Sequence, residues 1–444
     1  MWSDGLPNTI DGLLQTLRSK DMTFEQACEL QRERFVLGAQ AFGCVIRHIV
    51  EPWHQSAPYS GVGVAHKDIF EHDGYLPGLG RDHGHAQAGT RLARAPALLR
   101  AQGMHQLGTL AMAEDACSAT AFTRRVPTPI NPLDPSLAVG GSSSGSGVAV
   151  ASGMVYASLG TDTAGSVRIP AMTCGVLGLK TTHALVDRQG LSLISPGLDS
   201  IGVLGRSVAD IGHVLRLLAT DLVKVPQQQL RVAYWNAFDD LQTGQQDVIE
   251  RVRRCFVAYG NAGSKMIRNH FDLASHHAQV MMSAEVGQSQ KSRIDQGQAC
   301  EEVRQLGMIG RALPDCFYHQ SVVQRPWALQ RFLDDVMVDT DVLMVPLQLQ
   351  SLADVSEVYH GGKNFNVTAS LAMHRMCGWI NYLGLPALAL PIGQDAKGHP
   401  VSIQLIARPR HELLLLALGQ KIQFDVYGTD GIVPFAPQSK EISQ

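Results

Sequence analysis

The sequence is poor in charge and lacks the patterns of secreted, membrane-spanning and nucleic-acid-binding proteins. Only 17% of its 444 residues are charged, the formal net charge is −3, and no basic block of five or more residues occurs. No apolar run reaches the roughly 18 residues that would suggest a membrane-spanning helix. The first residues also lack the positive start and apolar centre of a secretion signal. We therefore expect neither a nucleic-acid nor a membrane partner.

The sequence also lacks the cysteine and histidine patterns of a disulfide-stabilised or metal-binding protein. The eight cysteines include no CxxC pair, and the seventeen histidines include no HExxH motif. We predict free thiols in a reducing cytoplasm, with no metal and no other cofactor. Because 45% of the residues are hydrophobic, the chain can bury a large core.

Glycine and serine are instead concentrated in one segment, residues 140–170, which reads GGSSSGSGVAVASGMVYASLGTDTAGSVRIP. Two serine clusters, residues 140–147 and 161–166, flank a stretch of small apolar residues. Glycine loses more backbone entropy on folding than any other residue, so its density indicates backbone angles or close approaches that side chains would forbid. The neighbouring hydroxyls can attack a substrate, relay protons or bind an anion.

This segment resembles the signature of the amidase signature family, which reads approximately GGSSGGS, then a helix, then GTDxGGS[IV]RxP. By position, Ser166 matches the family's nucleophile, and Ser142 matches its bridging serine, 24 residues upstream. The third catalytic residue of the family is a lysine in a VKD motif after a short strand. In this sequence, VGVAHKD at residues 62–68 supplies Lys67 as the match. Further matches follow in the family's order at residues 107–116, 178–182, 198–210, 381–393 and 398–406.

The resemblance implies an α/β fold in one domain, where length alone would suggest roughly three. The implied core is a mixed, mostly parallel, twisted β-sheet covered by helices on both faces. The expected parts are N-terminal helices over 1–60, a catalytic core over 61–215, a variable pocket-forming region over 225–375, and closing strands with a C-terminal helix over 376–444. Local patterns predict helices over 24–42, 93–102 and 148–157, and strands over 62–65 and 342–346.

The resemblance also implies how a serine hydroxyl, a poor nucleophile by itself, is activated. Lys67 can take a proton only when it is neutral, so its pKa must fall from about 10.4 toward neutrality, and burial supplies that shift. Ser142, preceded by a cis peptide bond from Gly141, passes the proton from Ser166 to the lysine. A linear amide substrate would acylate Ser166, and water would complete the hydrolysis.

Other residues of the segment are assigned supporting roles by the same resemblance. The implied oxyanion donors are the backbone amides of Thr163, Ala164, Gly165 and Ser166. Asp162 and Arg168 are expected to form an ion pair that braces this turn, and a weak surface pair is the alternative. Ser143 is expected to hold the loop by hydrogen bonds, and Gly141 to tolerate the cis bond. Ala164 stands where many family members have glycine.

The sequence leaves open other assignments of this segment and of the function. A phosphate-binding loop would need a lysine where Val148 stands. Residues 141–145 fit the GxSxG elbow of α/β-hydrolases with Ser143 as the nucleophile, but that assignment leaves Ser166 and Lys67 unexplained. Within the family, the chain could also be an amidotransferase subunit that releases ammonia from glutamine for a partner, or a non-catalytic scaffold. The substrate is expected to be a small-molecule amide, and a homodimer is a candidate assembly.

Overall fold

The computed structural model describes residues 2, 4–53, 55, 57–121, 123, 126–226, 228–359 and 362–428. Residues 429–444, the end of the predicted C-terminal part, lie outside the described residues. The described part contains twelve strands. They are β1 (Val45–His48), β2 (Gly63–Lys67), β3 (Tyr75–Leu76), β4 (His85–Ala86), β5 (His105–Leu110), β6 (Ala157–Asp162), β7 (Leu177–Lys180), β8 (Ser200–Gly205), β9 (Val232–Tyr234), β10 (Val342–Pro346), β11 (Ala387–Gln394) and β12 (Pro400–Ile406).

Sixteen α-helices accompany these strands in the described residues. They are α1 (Ile10–Ser19), α2 (Phe24–Phe42), α3 (Arg94–Ala101), α4 (Ser144–Ala151), α5 (Arg168–Thr173), α6 (Val208–Leu218), α7 (Ala237–Leu241), α8 (Gln246–Tyr259), α9 (Arg268–Ser289), α10 (Lys291–Asp295), α11 (Glu301–Ala312), α12 (Asp315–Asp335), α13 (Val355–Val358), α14 (Val367–Ala372), α15 (Gly378–Leu383) and α16 (Glu412–Tyr427). Within the described chain, no helix combines the length and the apolar character needed to cross a membrane.

Helix boundaries follow from local capping. α2 starts with a capping box, in which the Thr23 side chain accepts from the Gln26 amide while the Gln26 side chain accepts from the Thr23 amide. It ends at Gly43, whose φ of 59° is the left-handed conformation that favours glycine. The predicted helix over 24–42 is therefore confirmed. The helix predicted over 148–157 is wrong in its bounds, because the chain turns at Gly153, where φ is 76°, and residue 157 already begins β6.

Ten strands form one sheet in the order β1-β5-β2-β6-β8-β7-β11-β12-β10-β9, and β3 pairs only with β4. The mixed α/β sheet is confirmed. Parallel pairing runs through β5-β2-β6 and recurs between β10 and β9. The other neighbouring pairs of this sheet in the described chain are antiparallel. β11 and β12, for example, are joined by a short hairpin loop, and such a loop permits only antiparallel pairing.

Side chains alternate between the two faces of the sheet, as strand geometry requires. Val203 of β8 lies in the core on one face with Val214 and Leu215 of α6. The next residue, Leu204, lies in the core on the other face with Val148 of α4. Helices therefore cover both faces, as the resemblance predicts.

The small residues of α4 allow it to lie unusually close to its neighbours, and all eight are buried. A side-chain carbon on Gly145 would come within 2.6 Å of the Ala111 nitrogen, and one on Gly147 within 2.9 Å of the Pro170 oxygen. Both glycines are thus needed for close packing against backbone. This packing sets the first serine cluster, at the start of α4, beside the second, which follows β6.

Candidate active site

Lys67 ends β2, and its amino group lies beside the first serine cluster. Lys67 Nζ donates to Ser142 Oγ over 2.7 Å and to Thr161 Oγ1 over 2.8 Å. Neither Lys67 nor Ser142 has any exposed surface. The Gly141–Ser142 peptide bond is cis, as the resemblance implies. The structure therefore joins two of the three residues that the sequence singles out.

Burial changes the acid–base behaviour of this lysine. Loss of solvation lowers the pKa of Lys67 to about 7, although the nearby charges of Asp199 and Asp162 act in the opposite direction. The direction of the shift is the one that the sequence predicts. A substantial fraction of the amine is therefore neutral near neutral pH and able to accept a proton.

Ser166 is placed differently from its two expected partners. It retains 8% exposure, whereas Lys67 and Ser142 retain none. Its carbonyl oxygen accepts from the Ser143 amide over 3.1 Å, which ties the two serine clusters together. Within the described residues, the Ser166 hydroxyl makes no hydrogen bond. The structure therefore forms the Lys67–Ser142 half of the expected relay, and the Ser142–Ser166 half is not hydrogen-bonded.

The turn that carries the expected oxyanion donors has one amide already in use. The Gly165 amide donates to Asp162 Oδ1 over 2.8 Å, whereas the amides of Thr163, Ala164 and Ser166 have no acceptor among the described residues. Gly165 has a φ of +120°, and a side-chain carbon there would lie 2.8 Å from Cys377 Sγ. Glycine is therefore required at this position.

Ala164, the departure from the family's glycine, is accommodated at the start of α15. A side-chain carbon built on Gly378 would lie 3.8 Å from the Ala164 methyl, which is an ordinary van der Waals distance. The Ala164 methyl therefore fits beside the start of α15 without a clash, and it would do so even with a side-chain carbon at residue 378.

Asp162 and Arg168 form a fully buried, two-pronged ion pair. Arg168 Nη2 donates to Asp162 Oδ1 over 2.9 Å and Nε donates to Oδ2 over 3.0 Å. Both side chains have no exposed surface, so the alternative of a weak surface pair is wrong. Although burial alone would raise the pKa of Asp162, the charges of Arg168 and Lys180 and a hydrogen bond from Asn381 hold it well below its usual range.

Two amide side chains, Asn381 of α15 and Gln404 of β12, complete this ion pair. Arg168 Nη2 donates to Asn381 Oδ1 over 2.6 Å, and Nη1 donates to Gln404 Oε1 over 2.7 Å. Asn381 Nδ2 in turn donates to Asp162 Oδ1 over 2.9 Å. Both residues lie in matched motifs, but no role was predicted for either of them. The only sequence feature that could have identified them is a polar amide side chain within an otherwise apolar segment.

Ser143 hydrogen-bonds the backbone of β6. Its hydroxyl donates to the Thr161 carbonyl over 3.2 Å and accepts from the Thr161 amide over 3.3 Å. These bonds agree with the loop-holding role that the sequence predicts for Ser143. They also fix Thr161, the second acceptor of the Lys67 amino group, whose role the sequence did not predict.

Two further carboxylates, which the sequence did not identify, hydrogen-bond the turn or the loop beside it. Asp199, just before β8, accepts from the Thr163 hydroxyl over 2.6 Å. Glu285 of α9 accepts from the Ser195 hydroxyl over 2.5 Å and from the Gly197 amide over 2.9 Å. Asp199 lies in a matched motif, but Glu285 lies in the region without clear motifs and gave no sequence signal.

One group of side chains in the described part of the chain has the spacing of a metal site, namely Glu114, Asp115 and Cys300. Arg293 pairs with both carboxylates, and Arg81 pairs with Asp115 over 3.3 Å. The positive charge that a metal would supply is therefore already provided by arginine, and this group gives no support for a cation.

Comparison with known proteins gives consistent results over most of the chain. The family model described as Amidase matches residues 48–416. The protein provisionally named amidase AmiD of Mycobacterium tuberculosis is 28% identical over 358 residues, covering 74% of this chain and 73% of that protein. The A-type subunit of glutamyl-tRNA(Gln) amidotransferase from Chloroflexus aurantiacus is 28% identical over 419 residues, covering 82% of this chain and 83% of that protein.

Among solved structures, a 6-aminohexanoate cyclic dimer hydrolase in complex with its substrate superposes with a TM-score of 0.82. The match covers 94% of this chain and 97% of that chain at 20% sequence identity. At this identity the likeness shows a shared fold, which is the mixed sheet with helices on both faces described above.

The buried ion pair leads to a stability prediction. Arg168→Met should lower the free energy of unfolding by about 3 to 5 kcal/mol, because it leaves the Asp162 carboxylate buried without its partner. Arg253→Met, which breaks an exposed pair with Asp239, is the matched control and should change stability far less. Urea unfolding of both variants provides the measurement. Equal losses would show that the Asp162–Arg168 pair contributes no more than a surface pair.

Proposed function

The chain belongs to the amidase signature family, and from this membership we propose that it hydrolyses a linear carboxylic amide to an acid and ammonia or an amine. The observation that carries the proposal is the fully buried Lys67 amino group, hydrogen-bonded to Ser142 over 2.7 Å with its pKa lowered to about 7. A buried lysine with no carboxylate hydrogen-bonded to it is suited to act as a base.

The proposed reaction begins with proton transfer away from Ser166. Its oxygen attacks the amide carbonyl while its proton passes to Ser142, and the proton of Ser142 passes to neutral Lys67. The resulting ammonium returns a proton through Ser142 to the leaving nitrogen, and the C–N bond breaks. Water then attacks the ester on Ser166, releasing the acid and restoring the serine.

The negative oxygen of the tetrahedral intermediate needs preorganised donors. We propose the amides of Thr163, Ala164 and Ser166, since the Gly165 amide already donates to Asp162. In this proposal Gly165 shapes the turn and does not bind the oxyanion itself. One lost donor of this kind typically costs about 3 to 4 kcal/mol of transition-state stabilisation.

A second candidate is an amidotransferase subunit that releases ammonia from glutamine for a partner. The match to the A-type subunit of glutamyl-tRNA(Gln) amidotransferase over 82% of this chain favours it specifically. A panel of linear and cyclic amides, including glutamine, assayed for ammonia or amine release by the isolated chain would separate the two candidates. A small-molecule amide substrate, a cytoplasmic location and a homodimer stay predictions alongside this proposal.

The nucleophile assignment predicts that Ser166→Ala reduces amide hydrolysis by about 10³-fold or more while the protein stays folded, because no acyl-enzyme can form. A fluorophosphonate should label Ser166 in the wild-type protein, and peptide mass spectrometry would locate the adduct. Ser143→Ala is the matched control and should keep the label. An adduct on Ser143 would instead support the α/β-hydrolase assignment.

The base assignment predicts that acylation speeds up as pH rises through about 7, because the ammonium form of Lys67 that dominates below its pKa of about 7 cannot accept a proton. Single-turnover rates between pH 5 and 9 would show this acid limb. Lys67→Ala should lose nearly all of the rise. A flat profile in an enzyme limited by acylation would remove Lys67 from the role of base.

The relay assignment predicts different effects for neighbouring serines. Ser142→Ala should slow acylation by about 10² to 10⁴-fold, since it removes the group between the base and the nucleophile. Ser143→Ala and Ser146→Ala should cost much less, because each loses hydrogen bonds of about 1 kcal/mol. Single-turnover rates of variants with wild-type thermal stability decide the matter. Equal losses at all three positions would mean that the cluster acts only as a folded loop.

A further inference from the structure

A buried carboxylate with no role in the proposed reaction lies beside the turn at residues 163–166, which carries the proposed oxyanion donors. Asp199 retains 4% exposure. Its Oδ1 accepts from the Thr163 hydroxyl over 2.6 Å, and its Oδ2 accepts from the amides of Ile194 and Ser195 over 2.8 and 3.0 Å. All of these donors are neutral. Within the described residues, no arginine or lysine side chain hydrogen-bonds this carboxylate.

Asp199 and Lys67 contact the same short piece of chain. Lys67 bonds Thr161, the penultimate residue of β6, and Asp199 bonds Thr163, the first residue after that strand. Of the two carboxylates that act on the Lys67 amine, Asp199 acts more strongly than Asp162. The charge of Asp162 is already balanced by Arg168, so Asp199 is the carboxylate whose charge is left for Lys67.

The loop that carries Asp199 is itself anchored to the middle region of the chain. Glu285 Oε2 accepts from the Ser195 hydroxyl and the Gly197 amide, and Glu285 Oε1 accepts from the Tyr318 hydroxyl over 3.0 Å. α9 and α12 thereby hold the loop through Glu285. Asp199 is therefore held both by this loop and by its own hydrogen bond with Thr163.

We propose that Asp199 is a positioning residue for the reaction, which fixes the Thr163 end of the oxyanion turn and supplies the negative charge that balances the Lys67 ammonium formed during acylation. This inference rests on the proposed function. It gives Asp199 two separable effects, one through the Thr163 hydroxyl and one through charge.

The charge effect has a definite sign. Burial raises the pKa of Asp199 to about 6, so the carboxylate is largely ionised where the Lys67 amine titrates. A negative charge favours the ammonium form and opposes the effect of burial on Lys67. Removing that charge lets the pKa of Lys67 fall further, which moves the acid limb of the reaction to lower pH.

The test uses the rate at which a fluorophosphonate labels Ser166 between pH 5 and 9, which requires no knowledge of the natural substrate. Asp199→Asn keeps the shape of the side chain and should move the acid limb down by about 1 pH unit. Thr163→Val keeps the charge and removes the hydrogen bond. It should lower the labelling rate roughly tenfold across the range without moving the limb.

Asp210→Asn is the matched control. Asp210 is also fully buried, accepts from the Ile10 amide over 2.8 Å, and has a pKa raised by burial to about 6. It is not among the charges that act on Lys67, so its variant should leave the acid limb in place. A shift of equal size in both aspartate variants would overturn the proposal.

The remaining outcomes separate this inference from the proposed function. An acid limb that stays in place in Asp199→Asn, with wild-type labelling intact, would overturn only the role of Asp199. Absence of labelling in the wild-type protein would overturn the proposed function and this inference with it. Should Asp199→Asn fail to fold by thermal unfolding, Thr163→Val still decides, because a wild-type labelling rate would overturn the positioning role.

Discussion

A lysine amino group with no exposed surface is the constraint around which the site is arranged. Lys67 stands at the end of β2, where its amine donates to two hydroxyls, those of Ser142 and Thr161, and to no carboxylate among the described residues. Hydroxyls satisfy the amine without holding it in the charged form, so burial is free to lower its pKa to about 7. A carboxylate hydrogen-bonded at this position would favour the ammonium form and would oppose the proposed role of Lys67 as a base.

Negative charge nevertheless lies close by, on two carboxylates with different partners. Asp162 is bonded to Arg168 and serves as the structural acceptor of the Gly165 amide. Asp199 is bonded only to neutral donors in the described chain. Asp162 thus shapes the turn and is paired with Arg168, whereas Asp199 acts more strongly on the lysine.

The middle region of the chain, residues 225–375, was predicted to form a variable pocket wall. It also supports the turn at residues 163–166. Glu285 of α9 holds the loop that ends at Asp199, and Asp199 holds Thr163. A change in the position of α9 would therefore reach the turn through two hydrogen-bonded carboxylates. The region that the sequence predicts to form the pocket is thus linked by hydrogen bonds to the turn that carries Ser166.

The sequence by itself determined the residues of the proposed chemistry and the strongly patterned elements. Lys67, Ser142 and Ser166 could be identified because each stands in a short contiguous motif, and α2 and β10 because their patterns are local. Only the tertiary structure decided the antiparallel pairings, the use of the Gly165 amide, and the contact between Asn381 and Asp162, which are 219 positions apart. The physical reason is that such a contact leaves no local pattern, and that an amide becomes a free or an occupied donor only after the chain around it has folded.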